Sequence, residues 1–455
     1  MPSSSETYSA SKPISLHPRY PRIFLFRGKP TVLITSGEHY GAVLNLDFDY
    51  ATYLETLAAD RLNMTRTFSG TYLEQAGNFN IAENTLAPLP DRFSCPWKRS
   101  NTPAAADGGN KFDLSQWDGA YFQRLKEFMR EAGRRGVVVE YTLFCPMYED
   151  SMWNLCPMNG RNNVNGVGDI PRTEPLTLKH PSLLAFQLAF VRKVVAELRE
   201  FDNLIYEICN EPYFGGVTLE WQRKIAETIA DAESGFRDKH LISQNIANNT
   251  AKVTDPIPQI SVFQFHYARP PVAVADNWHL NKAIGCNETG FDGNSDFVYR
   301  SQGWDFMMAG GAVYNNLDYS FTASHPNGTF PFPPKQPGGG SPNLRRQLRI
   351  LRDFLESFEL VRMKPSDSVI VGGLSQGVTA HCLADSGREY GVYVKGGTQV
   401  DLVLEIPHGR WQAEWLNPRT GEVDKSTVYT HTGGRLTVAS CVYSEDIALA
   451  LRQTR

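Results

Sequence analysis

The sequence predicts an α/β chain in two parts, a (β/α)₈ TIM barrel followed by a small all-β sandwich. Three observations predict it. Between about residue 20 and about residue 360, short apolar runs alternate with amphipathic helical stretches, and parallel strands joined by right-handed helical crossovers close into a barrel. Two of those runs, NLIYEICNEPYF from Asn203 and KAIGCNETGF from Lys282, stop at a carboxylate, at the strand end where such barrels keep their chemistry. From Ser366 the helical period disappears, and short runs recur between Gly, Asp and Pro turns, as in an antiparallel sandwich.

Residues 1–20 are Ser-rich and without periodicity, which predicts a disordered segment. The first folded element is expected at 23–29, and strand one at 31–34 runs into SGEHYG. The helix expected at 49–61 buries Tyr50, Leu54, Leu57 and Ala58, so strand and helix make one β/α unit. Strand two, 64–68, carries Arg66. A long segment rich in Gly, Pro and Asn follows, to residue 118; loops of that length are usually functional or disordered. A helix at 121–132 puts Tyr121, Leu125, Phe128 and Met129 on one face and closes at Gly133 and Gly136. Strand three is 137–144, and a second long loop, 145–180, holds Tyr148 and Trp153.

Pro181 opens a helix in which Leu184, Leu188, Val191, Val195 and Leu198 recur at helical spacing. It leads into strand four, where Leu204, Ile205, Tyr206, Ile208 and Cys209 read as a strand buried on both faces. Pro212 cannot donate to a ladder, so the strand stops and leaves Asn210 and Glu211 at its carboxyl end. A helix at 221–232, strands at 241–246 and 260–266, strand seven at 282–286 ahead of Glu288, a helix at 297–309 and strand eight at 311–317 complete the barrel. A Pro/Gly-rich stretch then reaches an amphipathic helix at 344–358. The domain expectation is a disordered segment 1–20, a catalytic barrel 21–362 and a sandwich 363–455. Trp411 and Trp415 share one face of a sandwich strand and should pack against the barrel or in the sandwich core. That module carries no catalytic constellation and reads as structural.

Composition narrows the function. A net charge of −4 without a basic face interleaved with aromatics argues against a nucleic-acid partner. No apolar run reaches the roughly 18 residues of a membrane span, and MPSSSETYSASKP has no charged start before an apolar core. The expectation is a cytoplasmic protein without a membrane partner. Seven cysteines and no C-x-x-C pair fit free, buried thiols; Cys145 and Cys156 could pair across a loop. No cofactor is called for, since strand one offers only His39 toward a metal site and no strand ends in a Schiff-base lysine.

The remaining chemistry belongs to Glu211 and Glu288. After strands four and seven they face each other across the barrel mouth, the carboxylate pair that glycosidic cleavage requires. One must hold its proton near neutral pH and the other must stay ionised beside donors or a cation. Arg66 is a candidate cation for Glu288, or else a structural salt bridge across the barrel.

Asn210-Glu211-Pro212 after strand four, with a glutamate after strand seven, resembles clan A of the glycoside hydrolases, the retaining barrel enzymes that include family 5 cellulases and mannanases. The resemblance covers roughly residues 20–360 of the barrel architecture. It implies Glu211 as acid/base, Glu288 as nucleophile, Asn210 as donor to the sugar 2-hydroxyl, and Arg66 as the group near the nucleophile. EWLNPRTGE is also similar to cellulase-like bacterial proteins that add a C-terminal sandwich. This sequence departs from that family in places. The usual His-x-Tyr after strand six is an adjacent pair, His266-Tyr267, so only one is expected in its usual place, and Tyr314, Asn315 and Asn316 stand where a tryptophan would end strand eight.

The expected activity is a retaining β-glycosidase on glycosides or short oligosaccharides. Long loops after strands two, three and eight should wall the mouth, which favours exo action. An endo-acting glycanase and a catalytically silent carbohydrate-binding protein are the alternatives. Sugar contacts are expected from Glu38, His39, His266, Tyr267 and Tyr314, with Trp153, Trp278 or Tyr148 as stacking platforms.

Overall fold

Eight parallel strands make one sheet in the computed structural model, which describes residues 12–454. They are β1 (Leu33–Gly37), β2 (Met64–Phe68), β3 (Val138–Phe144), β4 (Leu204–Cys209), β5 (Leu241–Asn248), β6 (Val262–His266), β7 (Ala283–Glu288) and β8 (Val313–Leu317). Sheet order follows chain order from β2 round to β8, and β8 then pairs with β1. Asn63 ties the last two edges together: its side chain accepts from the Ile34 N–H at 2.9 Å and donates to Val32 O at 2.8 Å.

Helices α1 (Tyr50–Ala59), α2 (Gly119–Arg134), α3 (Pro181–Leu198), α4 (Leu219–Ala232), α5 (Val272–Asn277), α6 (Asp296–Met308) and α7 (Pro342–Glu356) ring the barrel. Their starts follow from local chemistry. Asp49, Asp118, Thr218 and Ser341 accept first-turn N–H groups at α1, α2, α4 and α7, and Pro181 opens α3 where its missing N–H costs nothing.

Period-two alternation sorts the barrel interior into layers. The lowest is apolar, with Leu33, Met64, Val138, Ile205, Leu241, Val262, Ala283 and Val313 in one cluster with Ile14 and Phe24. Two residues further along the strands stand Arg66, Glu140, Glu207, Ser243 and Gln264, all buried. Gly285 belongs to that layer because a Cβ there would lie 1.9 Å from the Gln264 carboxamide oxygen.

The apolar plug corrects the reading of residues 1–20 as disordered. Residues 1–11 lie outside the described residues, but Ser15–His17 pairs with Tyr20–Phe26, which pairs in turn with Lys29–Thr31. This hairpin sheet delivers Ile14 and Phe24, both fully buried, to the barrel floor. It also takes Thr31, so β1 starts at Leu33 rather than 31.

The sandwich comprises β9 (Thr379–Asp385), β10 (Glu389–Lys395), β11 (Asp401–Ile406), β12 (Gly409–Leu416), β13 (Val423–His431), β14 (Gly434–Ala439) and β15 (Asp446–Thr454), with short edge strands before them. Trp411 and Trp415 lie in its own core with Val392, Leu404 and Leu449. Helices α6 and α7 hold it to the barrel: Trp304 stacks on Tyr393 with centroids 5.2 Å apart and leans on Phe354. Beside them Arg300 reaches Asp446 at 2.8 and 3.0 Å, and Asp446 also accepts from the Tyr393 hydroxyl. All seven cysteines are free thiols, and six are buried. Among the described residues no helix is long and apolar enough to cross a membrane.

Candidate active site

A cavity of about 80 Å³ opens at the carboxyl ends of the barrel strands. The β-strand ends supply His39, Tyr40, Phe68, Cys145, Asn210, Glu211, Tyr267, Glu288 and Leu317, and the loops after β2, β3 and β7 supply Tyr72, Glu74, Phe79, Leu86, Tyr148 and Phe291. Five of the lining residues have left-handed backbone. Tyr40, Phe79, Glu211, Tyr267 and Phe291 all have φ between +33° and +63°, a conformation that costs side-chain-bearing residues of order 1–3 kcal/mol and gathers at functional sites.

Glu288 closes β7 and is buried among donors. Its Oε2 accepts from the Tyr40 hydroxyl at 2.8 Å and from Arg66 at 3.1 Å, and its Oε1 accepts from the Tyr267 hydroxyl at 2.6 Å. Burial pushes this carboxyl upward, but His266, Arg66 and the Tyr267 hydroxyl outweigh burial and hold it well below the usual carboxylate range. Glu288 is therefore ionised, in the state a nucleophile needs.

Glu211 lies two residues past β4. Its Oε2 accepts from the Tyr148 hydroxyl at 2.6 Å and its Oε1 from the Tyr213 hydroxyl at 3.1 Å. His266, fully buried, joins the two carboxylates: its Nδ1 is 3.1 Å from Glu211 Oε1 and 3.4 Å from Glu288 Oε1. Burial lowers the His266 pKa, but Glu288 and then Glu211 outweigh it and raise the imidazole to about 9.

At neutral pH His266 is thus an imidazolium, and stability should report it. A folded pKa above the ordinary 6.5 means that its contribution is complete below pH 6.5 and is lost as pH rises through about 9. Unfolding free energies from urea titrations at pH 6 to pH 10 should fall in the wild type by an amount on the order of 3 kcal/mol. In His266→Gln that part of the decline should be absent, and equal slopes in the two proteins would rule the imidazolium out.

Adjacent residues His266 and Tyr267 both reach the carboxylates. A register shift at Phe265/His266 in the β6–β7 ladder and φ +50° at Tyr267 turn the second side chain back inward. The Tyr267 N–H meanwhile donates to Glu288 O at 2.9 Å.

Below the pair, Arg66 is fully buried and bonds Glu207 through Nε and Nη2 at 2.8 and 2.9 Å, Glu288 through Nη1, and Asn210 Oδ1 through Nη2 at 2.6 Å. The two readings of Arg66, cation beside Glu288 and salt bridge across the barrel, are one arrangement. Its contact with Asn210 fixes that amide, whose Nδ2 donates to the Tyr148 hydroxyl at 2.8 Å. Glu140 accepts from Ser243, Gln264 and Asn287, and burial together with the charge of Glu207 raises its pKa. Glu207 and Glu140 went unread because each sits inside an apolar run. The available signal was the charge itself, since a buried carboxylate needs a partner across the barrel.

Four expected substrate contacts lie elsewhere. Glu38 turns back on its own loop, accepting from Gly41 and Ala42 N–H groups at 3.0 and 2.9 Å and from Thr85 Oγ1 at 2.6 Å; burial pushes its carboxyl up to about 7. Gly41 permits this crossing, because a Cβ there would meet Thr85 O at 2.1 Å. Tyr314 points outward, as alternation between the inward Val313 and Asn315 requires, and donates to Tyr299 O at 2.6 Å. Trp153 is buried in the loop after β3, bonded to Ile170 O at 2.8 Å. Trp278 packs at the opposite end of the barrel, 4.1 Å from the Arg22 guanidinium. Of the three stacking candidates, Tyr148 lines the cavity.

No family sequence profile matches the chain, and no curated protein sequence matches it. Solved structures are similar to it at low identity. A glycoside hydrolase superposes with TM-score 0.67 at 13% identity, covering 98% of each chain. A family 5 glycoside hydrolase from Bacteroides vulgatus gives 0.65 at 12% identity, over 98% of this chain and 94% of that one. A family 5 mannosidase from Rhizomucor miehei gives 0.51 at 12% identity, over 77% and 99%. The chain therefore has a glycoside hydrolase family 5-like (β/α)₈ barrel fold, and shares its full two-part length with the first two of these structures.

Proposed function

We propose that the protein is a retaining β-glycoside hydrolase that removes a terminal sugar from a β-linked glycoside or short oligosaccharide. The observation that carries this is the carboxylate spacing. One oxygen of Glu211 and one of Glu288 lie, with a nitrogen of His266, within 4.8 Å of one another. Retention works with carboxyls about 5–5.5 Å apart, whereas inversion needs about 6.5–9.5 Å to admit a water between them.

In the first step Glu288, kept ionised by His266, Arg66, Tyr267 and Tyr40, attacks the anomeric carbon as the glycosidic C–O bond breaks. Glu211 gives its proton to the departing oxygen. In the second step Glu211 takes a proton from water, whose oxygen attacks the same carbon and frees Glu288. Asn210, its amide oriented by Arg66 and Tyr148, is placed to donate to the hydroxyl next to that carbon. Arg66 and His266 keep two positive charges beside the carboxylates while charge moves, a fixed field that needs no reorganisation.

Cavity size favours exo action. About 80 Å³ holds some five to eight waters at roughly 10–15 Å³ each, a volume suited to one sugar and not to a chain. Loops close its sides: Asn80 donates to Lys335 O and the Ala82 N–H to Gln336, joining the loop after β2 to the segment after β8. β-Mannosides lead the substrate panel, since one similar structure is a mannosidase. Proton NMR of the first-formed product from a β-mannoside or β-glucoside should show the β anomer, and a short β-linked oligosaccharide should lose single sugars from one end. A first-formed α anomer would overturn retention, and early internal cleavage would overturn exo action.

A further inference from the structure

The cavity has a second polar end that the bond-breaking chemistry leaves unused. Glu74 lines it and is 5% exposed. Its Oε1 accepts from the Tyr72 hydroxyl at 2.9 Å and its Oε2 from the Asn84 side-chain amide, so each oxygen keeps acceptor capacity free. His39 lines the same cavity at 8% exposure, and its buried Nδ1 has no partner among the described residues.

One strap, Asn84-Thr85-Leu86, is tied to both residues. Leu86 O accepts the Glu74 N–H at 2.9 Å, and Thr85 Oγ1 lies 2.8 Å from His39 O. Glu38 pins the strap from behind through Thr85. Leaving a buried polar group short of partners is unfavourable; His39 Nδ1 is such a group, and Glu74, with acceptor capacity to spare, lines the same cavity.

We propose that Glu74 and His39 form the sugar-reading end of the cavity and take two neighbouring hydroxyls of a neutral terminal sugar. This deepens the glycosidase proposal and rests on it for the placement of the sugar. Each hydroxyl donates its hydrogen to one Glu74 oxygen, and one of them accepts from a His39 N–H, so the vacant capacity of both side chains is filled. A sugar bearing its own carboxylate meets Glu74 and Glu288 together and is rejected by like charge.

The test compares wild type, Glu74→Ala, Glu74→Gln and His39→Gln. Binding of D-mannose, D-glucose and D-glucuronate is followed by ligand-observed NMR, and the same preparations are assayed for kcat/KM on the 4-nitrophenyl β-glycosides of those sugars. Glu74→Ala should weaken neutral-sugar binding and kcat/KM ten- to a hundredfold, the loss expected for hydrogen bonds to a charged group. Glu74→Gln should lose less and should narrow the preference for neutral sugar over glucuronate. His39→Gln guards against misfolding of the Glu74 variants, because the imidazole Nδ1 has no protein partner to lose, and about a tenfold loss is expected. Binding with this pattern but no hydrolysis by the wild type would overturn the glycosidase proposal and support this one. Hydrolysis unchanged in all three variants would overturn this one and leave the glycosidase standing. Neutral sugar neither bound nor hydrolysed would overturn both.

Discussion

Glu288→Ala should lose activity by roughly 10⁴- to 10⁶-fold, because the proposed reaction forms its bond to the anomeric carbon through that carboxylate. The side chain leaves a gap at the foot of the cavity beside Arg66, Tyr40 and Tyr267, and a small anion can occupy it. Added azide should restore turnover of a 2,4-dinitrophenyl β-glycoside and yield the α-glycosyl azide. Glu211→Ala should behave differently on the same substrate. That leaving group needs no proton, so the glycosyl-enzyme still forms, and azide should release it as the β-glycosyl azide. Mass spectrometry of the trapped intermediate and NMR of the azides separate the two roles. Exchanged azide stereochemistry, or undiminished activity in either variant, would falsify the assignment.

Arg66→Met should be the most destabilising single change in the barrel interior, by about 3–5 kcal/mol, the cost of leaving buried charge without its partner. Arg66 answers Glu207 with two hydrogen bonds and Glu288 with a third, while its guanidinium lies 4.5 Å from the Tyr40 ring centroid. Arg66→Lys should recover little, since an ammonium cannot reproduce the planar fork. The double variant Arg66→Met/Glu207→Gln should regain part of the loss by removing one orphaned carboxylate. Chemical unfolding of the three proteins checks this, and an Arg66→Met midpoint equal to the wild type would show that the buried charges are compensated elsewhere.

Glu211 and Glu288 were legible for a local reason. Pro212 stops one strand and Gly290 follows the other, so each glutamate announces itself at a strand end within a few residues of sequence. Of the charged layer beneath, Arg66 was legible on its strand, but Glu140, Glu207 and Asn287 were not, because they become its neighbours only when β2, β3, β4 and β7 close into one barrel. Glu38 and His39 show the limit most sharply. They are consecutive after β1, yet one faces its own loop and the other the cavity, and what separates them is the return of Thr85 from the loop after β2. Trp153 packs away from the cavity for a similar reason, since its indole N–H donates to Ile170 O, seventeen residues on.

The turn at Tyr267 bears on how such a protein can diversify. His266 and Tyr267 touch the two carboxylates from adjacent positions, and the Tyr267 N–H is bonded to the backbone of Glu288. An insertion or deletion of one residue there would move the imidazole between the carboxylates, the hydroxyl on Glu288 and the main chain of Glu288 in a single event. Selection therefore has little freedom in the loop after β6. The loops after β2 and β7 meet the cavity through side chains, Phe79 and Phe291 among them, and can lengthen, shorten or exchange residues piecemeal. New sugar preferences in descendants of this chain should accordingly arise in those two loops, with the β6 turn inherited unchanged.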